Sequence, residues 1–173
     1  MAAAVGSRAP DFTARNQHGE QVRLSDYAGR DVVLVFYPYA FSQVCTSELA
    51  ALRDRPDLLA AAEFLAISCD PMYSLRAFAD REDLQFPLLS DFNKQAIRDY
   101  GVFNEDMIGL RGIAKRAVFV LDKDGIVRHR EVLDDARNEP DYGKALMAAQ
   151  STRGRGLPVP PRSRPGCGPQ GSG

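Results

Sequence analysis

The apolar positions of this chain change rhythm several times, and each change marks an element. VVLVFY, residues 32–37, is an unbroken β-branched and aromatic run, the pattern of a strand covered on both faces. From about Ser42 the apolar residues Val44, Leu49 and Leu52 move to helical spacing, and Pro56 is expected to mark the end of that helix. EFLAIS (63–68) reads as a second buried strand, and after Pro71 the segment MYSLRAFADRED places Leu75, Phe78 and Ala79 on one helical face. FPLLSD (86–91) suggests a short strand and KQAIRDYG a short helix closed by Gly101. DFTARN and EQVRLS flank QHG as a hairpin, RAVFVLD and IVRHREVL flank KDG as another, and DYGKALMAAQ forms a last helix.

The resulting order is hairpin, β, α, β, α, β, α, β, β, α. Parallel strands joined by helical crossovers, then an antiparallel hairpin and a terminal helix, predict an α/β fold: a central mixed sheet flanked by helices, of thioredoxin-like type. At 173 residues the chain is long enough for one domain with a proper core and short for two. The composition shifts near residue 150. Residues 151–173 hold six of the 14 glycines, five of the 11 prolines, four arginines and no acid, a tail expected to be disordered because little in it can be buried. Removing those four arginines from the net charge of −1 leaves residues 1–150 a mildly acidic domain at −5.

With 45% hydrophobic and 26% charged residues, nothing in the composition favours nucleic acid or an anionic membrane as a partner. No apolar stretch approaches the roughly 18 to 20 residues of a membrane span, and MAAAVGSRAP lacks the flanks of a secretory signal, so a cytoplasmic location is expected. In a reducing cytoplasm Cys45, Cys69 and Cys167 do not make a disulfide framework. Their spacings fit no zinc pattern, and with only His18 and His129 beside them no metal or other cofactor is expected.

One cysteine is placed where chemistry is favoured. YPYAFSQVC (37–45) follows the central strand directly and sets Cys45 in the first turn of the next helix. Unpaired N–H groups and the helix dipole at such an end favour an anion, so a thiol there loses its proton more easily. A thiol whose pKa falls from about 8.5 to about 6 gains roughly thirtyfold in reactive fraction, only about 2 kcal/mol, so ionisation cannot be the whole of a catalyst. Each residue also has a plain structural reading. Cys45 alone is as well explained as a small buried hydrophobe, Ser42 as a helix N-cap, Arg116 as a solvated strand charge, and Glu48 as an acid suited to a first turn.

Taken together, Pro38, Ser42 and Cys45 resemble the peroxiredoxin motif Pro-x-x-x-Thr/Ser-x-x-Cys, in the place between strand and helix where that family carries it. APDFTARNQHGEQVRLSDYAG resembles the family's N-terminal hairpin, FPLLSD its middle segment, and GIAKRAVFVLDKDGIVRH the strand pair that bears its arginine. AFSQVCTSEL, FPLLSDF, YGVFNE and GIAKRAVFVLD are most similar to the alkyl hydroperoxide reductase E type, the mycoredoxin-dependent one-cysteine peroxiredoxins, over about residues 5–149.

The resemblance implies the peroxiredoxin variant of the thioredoxin-like fold and a thiol-dependent peroxidase. Cys45 would be the nucleophile that becomes a sulfenic acid, and Arg116 would hold thiolate and peroxide together. The Ser42 hydroxyl and the Cys45 N–H would bind the peroxide oxygens, and Pro38 would shield the sulfur. Serine in place of the more frequent threonine keeps the hydroxyl but loses the methyl that restrains its rotamer. Glu48, three residues after Cys45, could orient Arg116 by an ion pair, while Tyr39 and Phe41 would suit an alkyl or lipid hydroperoxide.

Neither remaining cysteine matches a resolving position. Five residues after the nucleophile stands Ala50, and Cys69 closes a strand as a packed thiol. Cys167 lies at a separation near that of a C-terminal resolving cysteine but in a Gly-Cys-Gly-Pro context unlike a structured arm. The implied reductant is external, mycoredoxin or a low-molecular-weight thiol such as mycothiol, and the implied assembly is a homodimer. Two other functions remain open: a disulfide oxidoreductase of the same fold, opposed by Glu48 in the fourth position of Cys-x-x-Cys, and a non-catalytic binding module.

Overall fold

The computed structural model describes residues 2–153, of Arg153 the backbone only. The first hairpin pairs β1 (Thr13–Asn16) with β2 (Gln21–Arg23), and Leu24–Tyr27 then closes into a short 3-10 turn instead of continuing the strand. After it come β3 (Val32–Phe36), α1 (Gln43–Arg53), α2 (Pro56–Ala61), β4 (Glu63–Ser68), α3 (Met72–Glu82), β5 (Leu88–Ser90) and α4 (Gln95–Asp99). Two-residue strands β6 (Phe103–Asn104) and β7 (Ile113–Ala114) precede β8 (Ala117–Leu121), β9 (Val127–Val132) and α5 (Tyr142–Arg153).

Seven strands form one mixed sheet in the order β2-β1-β5-β4-β3-β8-β9, with β3, β4 and β5 parallel and β8 antiparallel to β3. The mixed sheet with helical crossovers is the architecture expected from the order of elements. Pro56 has a different role from the one expected. The helix that carries Cys45 ends at Arg53, and Pro56 opens a second, six-residue helix, where its missing N–H costs nothing and its fixed φ suits a first turn. The last helix runs on to Arg153, three residues past the boundary expected at 150. The remainder of the expected tail, with Cys167, lies outside the described residues.

Alternation along β3 divides the interior into two layers. Val33, Val35 and Tyr37 face Leu49, Leu52, Leu58, Phe78, Ala145 and Ala149, so α1, α2, α3 and α5 cover that side. Val32, Leu34 and Phe36 face Ile97, Tyr100 and Phe119 on the other. Phe36, Tyr100 and Phe119 meet there at centroid separations of 5.1 to 5.7 Å. Gly101 closes α4 at φ +69°, and a Cβ on it would fall 2.6 Å from that of Ala2, so the turn requires glycine twice over. No helix among the described residues is long and apolar enough to cross a membrane.

Candidate active site

The loop Tyr37–Phe41 leaves the end of β3 and is tied to the end of β4. The Ala40 N–H donates to Asp70 Oδ2 at 2.8 Å, and the Ser68 hydroxyl donates to the same oxygen at 2.6 Å. Pro38 is buried in this loop, and its carbonyl accepts a long contact from the Cys69 thiol at 3.9 Å. Phe41 takes φ +66°, a left-handed conformation unusual for a bulky residue, immediately before the N-cap. The residue is 46% exposed, and its ring meets that of Phe78 in a tilted contact at 5.1 Å and lies 5.8 Å under the Arg81 guanidinium. Tyr39 is half-buried beside it.

Ser42 is the N-cap of α1, in extended conformation, and its Oγ accepts the Cys45 N–H at 3.3 Å. That backbone donor is therefore engaged within the helix, while the serine hydroxyl keeps its own hydrogen to give elsewhere. Ser42→Ala is expected to cost about 1 kcal/mol of stability, the usual loss for such a cap, read as a lowered urea midpoint at unchanged slope.

Cys45 is fully buried, and the Arg116 Nη2 donates to its sulfur at 3.3 Å. Arg116 comes from the residue just before β8, 71 positions away, so the adjacency of β3 and β8 in the sheet makes the meeting. Its Nη1 donates to Glu48 Oε2 in an ion pair with both side chains buried, while Nε and Nη2 donate to the Ala136 carbonyl at 3.1 and 2.9 Å. The other oxygen of Glu48 accepts the hydroxyl of Tyr142, from the first turn of α5. Burial is the largest influence on the Glu48 carboxyl and pushes it up, to about 7, against the lowering effects of Arg116 and Tyr142. For Arg116 burial opposes the charge, but Glu48 and Cys45 outweigh it and the guanidinium is held charged.

The structure thus brings Cys45, Ser42, Glu48 and Arg116 into one contact network and places Pro38 in the loop leading to it. Cys69 is a second free thiol, half-buried, with its pKa raised by burial and by Asp70. Ala136 and Tyr142 were not singled out in the sequence. Tyr142 carried only a helical pattern, and the role of Ala136 belongs to its backbone. Among the described residues no group of three or more His, Cys, Asp or Glu side chains is placed to hold a metal ion.

A buried thiol at a helix start, faced by an arginine from a neighbouring strand, is the arrangement implied by the peroxiredoxin resemblance, and residues 5–130 match the AhpC/TSA family model. The chain belongs to the AhpC/TSA family. It is 44% identical over 154 residues to alkyl hydroperoxide reductase E of Mycobacterium tuberculosis, covering 83% of this chain and 96% of that protein. It is 39% identical over 167 residues to the chloroplastic 2-cysteine peroxiredoxin of Chattonella marina var. antiqua, covering 87% and 82%. Among solved structures, peroxidoxin BcpB from Mycobacterium tuberculosis superposes with a TM-score of 0.77 at 29% identity, covering 87% of this chain and 99% of that one. Membership in AhpC/TSA, with peroxiredoxins among its relatives, makes this chain a thiol-dependent peroxidase.

Proposed function

We propose that this AhpC/TSA member reduces organic hydroperoxides, and hydrogen peroxide or peroxynitrite, through Cys45 by a one-cysteine mechanism. The observation that carries the assignment is the Arg116 guanidinium set 3.3 Å from the Cys45 sulfur. Held positive charge there stabilises a thiolate and the charge that builds as the oxygen–oxygen bond breaks. The sulfur attacks one peroxide oxygen, the O–O bond breaks, and the second oxygen leaves as an alcohol or water after taking a proton. Cys45 is left as a sulfenic acid, oxidised by two electrons. Ser42 directs its hydroxyl hydrogen to a peroxide oxygen, and buried Pro38 closes the approach to water.

Two external thiols then return the enzyme: the first displaces water from the sulfenic acid to form a mixed disulfide, and the second releases Cys45 as a disulfide forms between the reductants. Mycoredoxin or a low-molecular-weight thiol fits that role on the resemblance to the alkyl hydroperoxide reductase E type. A cytoplasmic homodimer is the setting the same resemblance implies. Exposed Phe41, immediately before the Ser42 cap, supports an organic hydroperoxide as the preferred substrate.

Oxidation of the reduced protein by one equivalent of peroxide, followed by mass spectrometry, tests the assignment. A single oxygen on Cys45, trapped as a sulfenic-acid adduct and formed faster with a fatty-acid hydroperoxide than with hydrogen peroxide, is expected. A disulfide from Cys45 to Cys69 or Cys167 would overturn the one-cysteine mechanism, and faster reaction with hydrogen peroxide would overturn the substrate preference.

A further inference from the structure

Arg116 is held by several partners at once: Nε and Nη2 donate to the Ala136 carbonyl at 3.1 and 2.9 Å, and Nη1 donates to Glu48. Nη2 also reaches the Cys45 sulfur at 3.3 Å, an ordinary length for a contact to sulfur, so the oxygen partners that orient the guanidinium also fix the donor the sulfur receives. One of those partners, Glu48, has a single described donor on each oxygen: Arg116 on Oε2 and Tyr142 on Oε1. We propose that Tyr142 is a positioning residue for the chemistry of Cys45: its hydroxyl, delivered by α5, fixes the Glu48 carboxylate that aims Arg116 at the sulfur. The inference rests on the peroxidase reading and deepens it.

Three observations carry it. Without the Tyr142 hydroxyl, Oε1 is a buried acceptor with no described donor, and a carboxylate torsion is soft enough to turn in search of one, taking Oε2 away from Arg116. Tyr142 is a dedicated donor, since burial and the charge of Glu48 hold its hydroxyl protonated far above neutral pH. The helix that presents it is itself fixed, with Ala145 and Ala149 packed into the layer that holds Cys45. The Ala136 carbonyl reaches Arg116 from the same stretch of chain, in the loop between β9 and α5. The last element of the described fold therefore sets the geometry of a thiol nearly a hundred residues earlier.

The groups that face Glu48 define the titration to be measured. They are Arg116 from just before β8, Tyr142 from α5, Tyr37 from the loop after β3 and Glu139 from the loop before α5, with Cys45 on its own helix reached through Arg116. In Tyr142→Phe a donor that favours the ionised carboxylate is lost. Sulfenic-acid formation at Cys45 by quenched-flow mass spectrometry is expected to slow roughly tenfold at neutral pH, the size of one buried hydrogen bond expressed as a rate. The limb of its pH profile set by Glu48 is expected to move to higher pH. In a Glu48→Ala background the same Tyr142→Phe change is expected to alter the rate by less than about twofold, because the carboxylate it acts through is gone.

An equal slowing in both backgrounds, or none in either, would overturn the positioning role. Alkylation of Cys45 by iodoacetamide across pH, resolved by peptide, gives a second readout that needs no peroxide. If wild type is not oxidised by peroxide but Tyr142→Phe still shifts the alkylation profile, the peroxidase reading fails and the positioning role stands. If wild type is oxidised rapidly and Tyr142→Phe shifts neither profile, only the positioning role fails.

Discussion

Replacing Cys45 with serine is expected to abolish peroxide turnover, lowering the rate by at least about 10³-fold, because a hydroxyl at neutral pH is not an anion and is a far weaker nucleophile toward oxygen. The fold is expected to survive. Serine is slightly smaller than cysteine, and its hydroxyl in the buried site can accept the Arg116 Nη2 hydrogen bond that the sulfur accepts in the wild type. Steady-state peroxide consumption with an excess thiol, beside thermal midpoints of both proteins, checks the two halves of this expectation. Wild type and variant equally inactive toward every peroxide would point instead to a binding module. Turnover retained in the variant would place the nucleophile elsewhere.

Arg116→Ala is expected to damage the protein twice. It removes the charge held against the sulfur, a loss of roughly 10² to 10³ in the oxidation rate by analogy with other donors aimed at developing charge. It also strips Glu48, which is 0% exposed, of its cation, and breaking one side of a buried ion pair costs about 3–5 kcal/mol. In a chain of this size that is a fall of roughly 10 °C in thermal midpoint. Arg116→Lys separates the two effects. A lysine restores the charge, but one ammonium cannot span the Glu48 oxygen, the sulfur and the Ala136 carbonyl as the guanidinium fork does. Stability should recover more than rate. A lysine variant with full activity would show that charge alone, without the fork, is enough.

What could be read from the sequence follows the range of each signal. VVLVFY announced a doubly covered strand because every one of its residues is apolar, and β3 has a layer on each side. KDG marked the β8–β9 turn because glycine at φ +73° leaves few alternatives. Pro56 was ambiguous by nature, since proline ends one helix and begins another with equal ease, and only packing decided that Leu58 and Ala61 continue on a second helix. The strands β6 and β7, two residues each, are shorter than any periodicity can register. Within the site, Cys45 and Glu48 could be linked by helical spacing and Arg116 by resemblance. The Glu48–Tyr142 contact spans 94 positions, and no local pattern in one sequence encodes such a pairing.

The two-layered interior has a practical reading. Cys45, Leu49, Tyr37 and the α5 alanines lie in one layer, while Leu34, Phe36, Ile97, Tyr100 and Phe119 lie in the other, with the backbone of β3 as the partition. The second layer works as a chassis, and an engineer seeking a heat-tolerant version of this enzyme has, around Leu34, Ile97, Tyr100 and Phe119, a volume to repack on the face of β3 opposite Cys45.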